Sequence, residues 1–157
     1  MDLKLLGNYY IWAEEHLRQK IVELSNDELN QKPDGFGRSI RDLIEHISVT
    51  YGSYFHEPSM ETWTKLSEEA KNMSREELMN TWKSGTSKFA QAIIDYEKSD
   101  FIFPVSKEKS LTLDKEDYFL LYTDHQTYHR GQIMTLLKYL GSEGVNTDYF
   151  TFMMSGS

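Results

Sequence analysis

An all-α fold, a four-helix bundle with long crossover connections, is what this sequence predicts, and three observations carry the prediction. Four stretches place apolar residues at gaps of three and four, the spacing of one buried helical face. Between them run three connections of about 14 to 17 residues, longer than bundle hairpins need, so at least one is expected to cross the whole bundle. The length of 157 residues, with 39 % hydrophobic and 27 % charged content, suits a single domain over residues 1–157 with a sizeable core.

The first stretch, Leu3, Leu6, Tyr10, Ala13, Leu17, Ile21 and Leu24, makes a helix of about six turns ending near Ser25-Asn26. A polar connection follows, broken by Pro33-Asp34-Gly35 and Gly37. Ser39 reads as an N-cap, with Asp42 three residues on complementing the free amides. Ile40, Leu43, Ile47, Tyr51 and Tyr54 then form the stripe of a second helix, which runs to about Phe55 and is stopped by Pro58. From Ser59 to Met73 the pattern weakens, leaving room for a short helix at Leu66 to Lys71.

Ser74-Arg75-Glu76-Glu77 matches a capping box and opens a third helix carrying Leu78, Trp82, Gly85, Phe89, Ile93 and Tyr96. Gly85 within that stripe costs up to ~1 kcal/mol of helix propensity, which points to a close approach by a neighbouring element. Pro104 and the alternation Ser110-Leu111-Thr112-Leu113 make Asp100 to Asp114 an extended connection with a short strand pair. The fourth helix, Tyr118 to Leu140, ends at Gly141. The aromatic tail after Gly144 (Tyr149, Phe150, Phe152) is expected to pack on the bundle.

Bulk properties exclude several function classes. The formal net charge is −8, from 17 basic and 25 acidic residues, which argues against nucleic-acid binding. The basic run Lys107 to Lys109 reads as solvated loop. The absence of cysteine removes disulfides, thiolate metal sites and a protein thiol nucleophile, so any sulfur chemistry needs a thiol brought in from outside. No apolar run approaches the roughly 18 residues of a membrane helix. Met1-Asp2-Leu3-Lys4 shows no secretory pattern, and the expected location is cytoplasmic.

The chemistry concentrates on the fourth helix. Its stripe reads Tyr118, Tyr122, His125, His129, Gln132, Leu136 and Leu140, with two imidazoles one turn apart at the centre. An unsatisfied ring nitrogen in a bundle core costs roughly 1–3 kcal/mol, and a metal ion would answer both rings at once. Histidines four apart have Cβ atoms about 5–6 Å apart, close enough to share one ion. The bland alternative is a pair of core histidines bonded to Tyr, Asp or Gln. A third ligand could be His46, on the shoulder of the second-helix stripe about 60° beyond Leu43, at roughly 100° per residue. Its row continues through the polar Asp42, Thr50 and Ser53. His16 competes for the role, and His56, at a helix end, is expected to be exposed.

The segment Tyr122-Thr-Asp-His125-Gln-Thr-Tyr-His129-Arg130-Gly131-Gln132-Ile133 resembles the signature of the DinB/YfiT-like family. Phe36-Gly37-Arg38-Ser39-Ile40-Arg41-Asp42-Leu43-Ile44-Glu45-His46-Ile47 is similar to that family's second-helix segment, and Trp12 and Thr147-Asp148 to further family positions. The resemblance spans the chain and implies a four-helix bundle with a long crossover between helices two and three. It further implies a divalent metal held by His46, His125 and His129, with no departure at those positions. Similar proteins include S-transferases and isomerases that use low-molecular-weight thiols, and others described as metal-dependent hydrolases. Homodimers are also implied.

Three neutral imidazoles leave a divalent ion, Zn or Ni first among the choices, with an open position for water or a small-molecule thiol. The leading expectation is a metal-dependent enzyme acting on a small-molecule substrate, with S-transfer by an external thiol ahead of hydrolysis. The alternative is a non-catalytic bundle that is stabilised by its metal or binds a small ligand. Gln132, Asp124 and Tyr128 are candidates for proton handling or for orienting a ligand, with Asp42 and Glu45 further off. For Gln132 a plain core hydrogen bond weighs about equally. Arg130 points away from the stripe and reads as half of a structural ion pair. Glu45 is expected to face solvent or a helix–helix salt bridge.

Overall fold

A computed structural model describes residues 2–55, 59–95, 100–106 and 108–156. His56, Pro58, Tyr96 and Lys107, each given a place by the sequence, lie outside the described residues. The elements run α1 (Leu3–Ile21), α2 (Asn26–Asn30), α3 (Ile40–Phe55), α4 (Met60–Asn72), α5 (Arg75–Asp95), β1 (Asp100–Pro104), β2 (Ser110–Asp114), α6 (Lys115–Tyr139) and α7 (Tyr149–Met154).

Helices α1, α3, α5 and α6 form the bundle, and specific contacts set their directions. Gly7 near the start of α1 lies against Ala90 and Ile94 near the end of α5. At the other end, Arg75 bonds the carbonyls of Ile21 and Val22 at 3.3 and 3.1 Å. The two helices are therefore antiparallel. By contrast α3 and α5 are parallel: Arg41 donates to the Met73 carbonyl at 2.6 Å, and further along Gly85 packs on Tyr51. A Cβ on Gly85 would stand 2.8 Å from the Tyr51 Cβ, which is the close approach that its place in the stripe implies. Two parallel helices need a return segment between them, and α4 supplies it, packing on α3 with Leu66 against Gly52. The long connection between the second and third bundle helices is thus a crossover.

Local signals account for the element starts. Ser39 and Asp42 bond each other's backbone amides at 3.1 and 2.8 Å, opening α3. Ser74 and Glu77 do the same for α5, and Asp114 caps α6. The strand pair β1–β2 is antiparallel, with Phe101 opposite Leu113 and Phe103 opposite Leu111. In the tail, Phe152 is buried and Tyr149 sets its ring 5.1 Å from that of Tyr9, whereas Phe150 is exposed.

Four elements extend what the sequence suggests. The first connection contains α2, closed by a Ser25–Glu28 capping box, and α4 spans 13 residues instead of a short piece. The fourth bundle helix starts at Lys115, before Tyr118, and the tail forms α7. The core is one large cluster centred on Tyr10, Leu17, Trp82, Phe89 and Phe119, with α7 packed against Tyr9 and Ala13 beside it.

Helix α6 buries two rows, not one. Beside the expected stripe, Phe119, Thr123, Gln126, Arg130, Ile133 and Leu137 are all buried. Arg130 does pair, and its partner is deep in the protein: it donates to the Glu14 carboxylate at 3.1 Å and to Tyr9 Oη at 2.9 Å. Glu14 also accepts from the Trp82 indole at 2.8 Å. This network joins α1, α5 and α6. Charges so deep are tolerated when each is paired and hydrogen-bonded.

Candidate metal centre

Helices α3 and α6 meet at one point with three imidazoles. Their antiparallel course brings His46, at mid-α3, opposite His125 and His129, one turn apart on α6. The Nε2 atoms of His46 and His125 are 3.3 Å apart, and those of His125 and His129 are 3.1 Å apart. One ring nitrogen from each residue lies within 4.8 Å of the other two. Metal–nitrogen bonds of about 2.0–2.1 Å at tetrahedral angles would put such nitrogens about 3.3 Å apart. Two of the three pairs thus already stand at about the spacing of a facial three-nitrogen donor set, and the third lies within 4.8 Å.

Hydrogen bonding alone cannot satisfy these rings. The Nδ1–H of His129 donates to Gln132 Oε1 at 2.7 Å, which fixes the tautomer and leaves a bare lone pair on Nε2. A proton on His125 Nε2 could then be donated to one neighbour only. A divalent ion takes all three lone pairs together, so the residues present fit one.

The electrostatics favour neutral, ligating rings. Burial, then the charges of His129, Arg38 and His125, pulls His46 down to about 4. Burial, then His129 and Arg38, pulls His125 down to about 4, against an opposing pull from Asp124. Burial also lowers His129, with the Gln132 bond working the other way. All three are uncharged at neutral pH.

Each expected site residue can now be placed. His46, His125, His129 and Gln132 come together. Tyr128 is largely exposed, its ring centroid 5.2 Å from that of His129, and it lines the same polar cavity. Asp124 is exposed on the outer side of α6 and reaches His125 through space. His16 stands apart, its Nδ1 donating to the Trp12 carbonyl at 2.8 Å. Asp42 serves the cap of α3 and pairs with Lys32 at 2.9 Å. Glu45 neither faces bulk solvent nor bridges helices: it accepts from Arg41 on its own helix at 2.7 Å.

Two residues near the cluster carry no periodicity that would aim them at it. Arg38, in the loop before α3, sets a positive charge beside all three rings. Trp63 on α4 brings its ring centroid to 5.5 Å from that of His46. A loop residue has no periodicity to betray its direction, and the stripe of α4 is too faint to orient Trp63.

Fold and cluster together define a helical bundle whose three-histidine group could hold a metal ion. The chain belongs to the DinB family, whose family model matches residues 1–156. No curated protein matches the chain. Among the described residues, no helix is long and apolar enough to cross a membrane.

Proposed function

We propose that this protein is a divalent-metal-dependent enzyme, with His46, His125 and His129 as the ligands and an external low-molecular-weight thiol as the nucleophile. The convergence of three ring nitrogens within 4.8 Å carries the reading. When bound, the ion supplies Lewis acidity at an open position, where a thiol or water loses its proton near neutral pH. Zinc and nickel are the ions we favour among those that imidazole ligands accept.

The protein's own groups do the rest. Gln132 holds the His129 tautomer, as hydrogen-bonded outer groups do around metal-ligating histidines. Arg38 draws an anionic nucleophile or substrate towards the rings and favours its charged form. Tyr128 walls the polar cavity beside His129 and presents a hydroxyl to a substrate there. In S-transfer the sulfur forms a bond to an electrophilic carbon, and the leaving group departs with the electrons of the bond that breaks. The absence of cysteine agrees with a thiol that arrives as a reactant. Hydrolysis is the second reaction the same site supports.

Self-association belongs to this reading, because Phe150, Met153 and Met154 leave apolar side chains exposed on α7. Sedimentation should show a dimer, and a monomer at all concentrations removes that part.

Metal analysis of protein purified without an affinity tag tests the centre. About one ion per chain, lost in His129→Ala, is expected, together with thiol-transfer activity on an electrophile panel that disappears in the same variant. A folded protein with no ion overturns the reading. Bound metal that raises Tm without activity on thiol or ester panels makes it a structural cross-link between α3 and α6.

A further inference from the structure

The histidine cluster sits between two cavities, one of mixed and one of chiefly apolar lining. One, of about 480 Å³, is lined by all three histidines with Arg38, Tyr128 and Gln132 among its walls. The other, of about 450 Å³, has Met60, Trp63, Phe103, Val105 and Leu121 around it. His125 lines both. Any molecule reacting at the cluster therefore has space on two sides.

The second cavity is apolar in practice as well as in composition. Thr50, Ser53 and Ser59 also line it, but their hydroxyls are engaged elsewhere. Thr50 donates to the His46 carbonyl at 3.0 Å, Ser53 to the Thr50 carbonyl at 2.8 Å, and Ser59 to Thr62 Oγ1 at 3.0 Å. Met60, Val105 and Leu121 remain partly exposed at its rim. Water there gains little, whereas hydrocarbon would gain the full transfer free energy.

The first cavity has the opposite need. Among the described residues no carboxylate pairs with Arg38, and its guanidinium is a fork suited to a carboxylate or phosphate.

We propose that the substrate is amphipathic: an anionic group rests by Arg38, the reacting group faces the histidines, and an apolar arm lies in the Trp63 cavity. This rests on the reading of the cluster as a metal centre and adds the chemistry of what enters it. Polar and apolar ends are thereby fixed on opposite sides of His125, which orients the reacting group without further contacts.

Matched ligands test it on zinc-loaded protein, with quenching of tryptophan fluorescence and calorimetry as readouts. The probes are 2-mercaptohexanoate, 2-mercaptoacetate (no arm) and pentanethiol (no carboxylate). At about two- to fourfold per methylene, 2-mercaptohexanoate should bind roughly tenfold or more tighter than 2-mercaptoacetate. Leu121→Asp should remove that advantage, while Ile11→Asp, an equally exposed change on α1, should leave it intact. Arg38→Ala should weaken 2-mercaptohexanoate several-fold and leave pentanethiol unchanged.

Equal affinity for the two mercapto acids, with zinc bound, overturns the proposal and spares the metal centre. An arm-length effect that survives Ile11→Asp and also Leu121→Asp overturns the assignment of the cavity. If zinc does not bind, hexanoate and acetate are compared on the protein as purified. Tighter hexanoate binding that Leu121→Asp abolishes then supports the apolar site while the metal reading falls.

Discussion

Two polar clusters lie inside this bundle, and they begin one residue apart on α6. Arg130 turns towards α1 and finishes in a buried network with Glu14, Tyr9 and Trp82, opposite charges paired and almost nothing open to solvent. His129 turns towards α3 and sets its Nε2 3.1 Å from that of His125, beside a cavity that all three histidines line. Both cost desolvation. The first recovers most of it from its own partners, with Arg130 Nε left unpaired, whereas the second gathers three ring nitrogens that could hold a metal ion together. One cluster is held together by its own opposite charges, and the other is a three-histidine group beside open space that could hold a metal ion.

The sharpest way to break this contrast is at Arg130. Arg130→Met strands the Glu14 carboxylate and should cost about 3–5 kcal/mol in urea denaturation. Adding Glu14→Leu should recover most of that loss. Metal stoichiometry of the double variant should stay that of the parent; a lost metal would join the two clusters into one unit.

Gln132→Ala makes the converse test. It should weaken metal binding about 10–100-fold, the usual effect of removing a partner of a ligating histidine. Metal-free stability should move by less than about 1 kcal/mol, since Gln132 is only partly buried. Competition with a chelator and thermal melts read the two quantities separately.

Acid should separate the clusters too. His46 and His125 titrate near 4 in the folded state, against about 6.5 when unfolded. Between those values the unfolded chain binds more protons, so metal-free stability should fall as pH drops from about 6.5 towards 4. His125→Phe should flatten that slope in melting curves taken across the range, and an unchanged slope would assign it to other groups.

The smallest effect belongs to Gly131, the next residue along, which faces neither cluster. A Cβ there meets nothing within 4 Å, so Gly131→Ala should raise stability by up to about 1 kcal/mol through helix propensity. Destabilisation, or a change in sedimentation, would mean that this face of α6 is covered in solution.

Much of this was legible in the sequence because helix periodicity fixes direction. The stripe from Tyr118 to Leu140 put His125 and His129 on one face, and the Asp42–Thr50–Ser53 row placed His46 near enough to join them. Capping chemistry located the starts of α3 and α5. What periodicity did not reveal was the second buried row of α6: Arg130 read as half of a structural ion pair, but Thr123 and Gln126 are polar and give no apolar stripe, and the depth of the pair shows only once Glu14 is seen opposite. Nor could it reveal Arg38, or the length of α4, where Ala70 is the one residue fully buried among those described. A five-residue helix such as α2 is too short to show a period at all, although its Ser25–Glu28 capping box is written in the sequence.

The parallel course of α3 and α5 has a consequence for the order of events during folding. His46 and His125 stand 79 positions apart, with the whole of the α4 return and α5 between them. No partly made chain can offer the complete donor set, so on the proposed metal reading ion capture would wait until α3 and α6 have met. Mass action would then reward that state alone, by about 2.7 kcal/mol with free ion a hundredfold above its dissociation constant. The ion would act as a final clasp, and its uptake would time the last step of assembly.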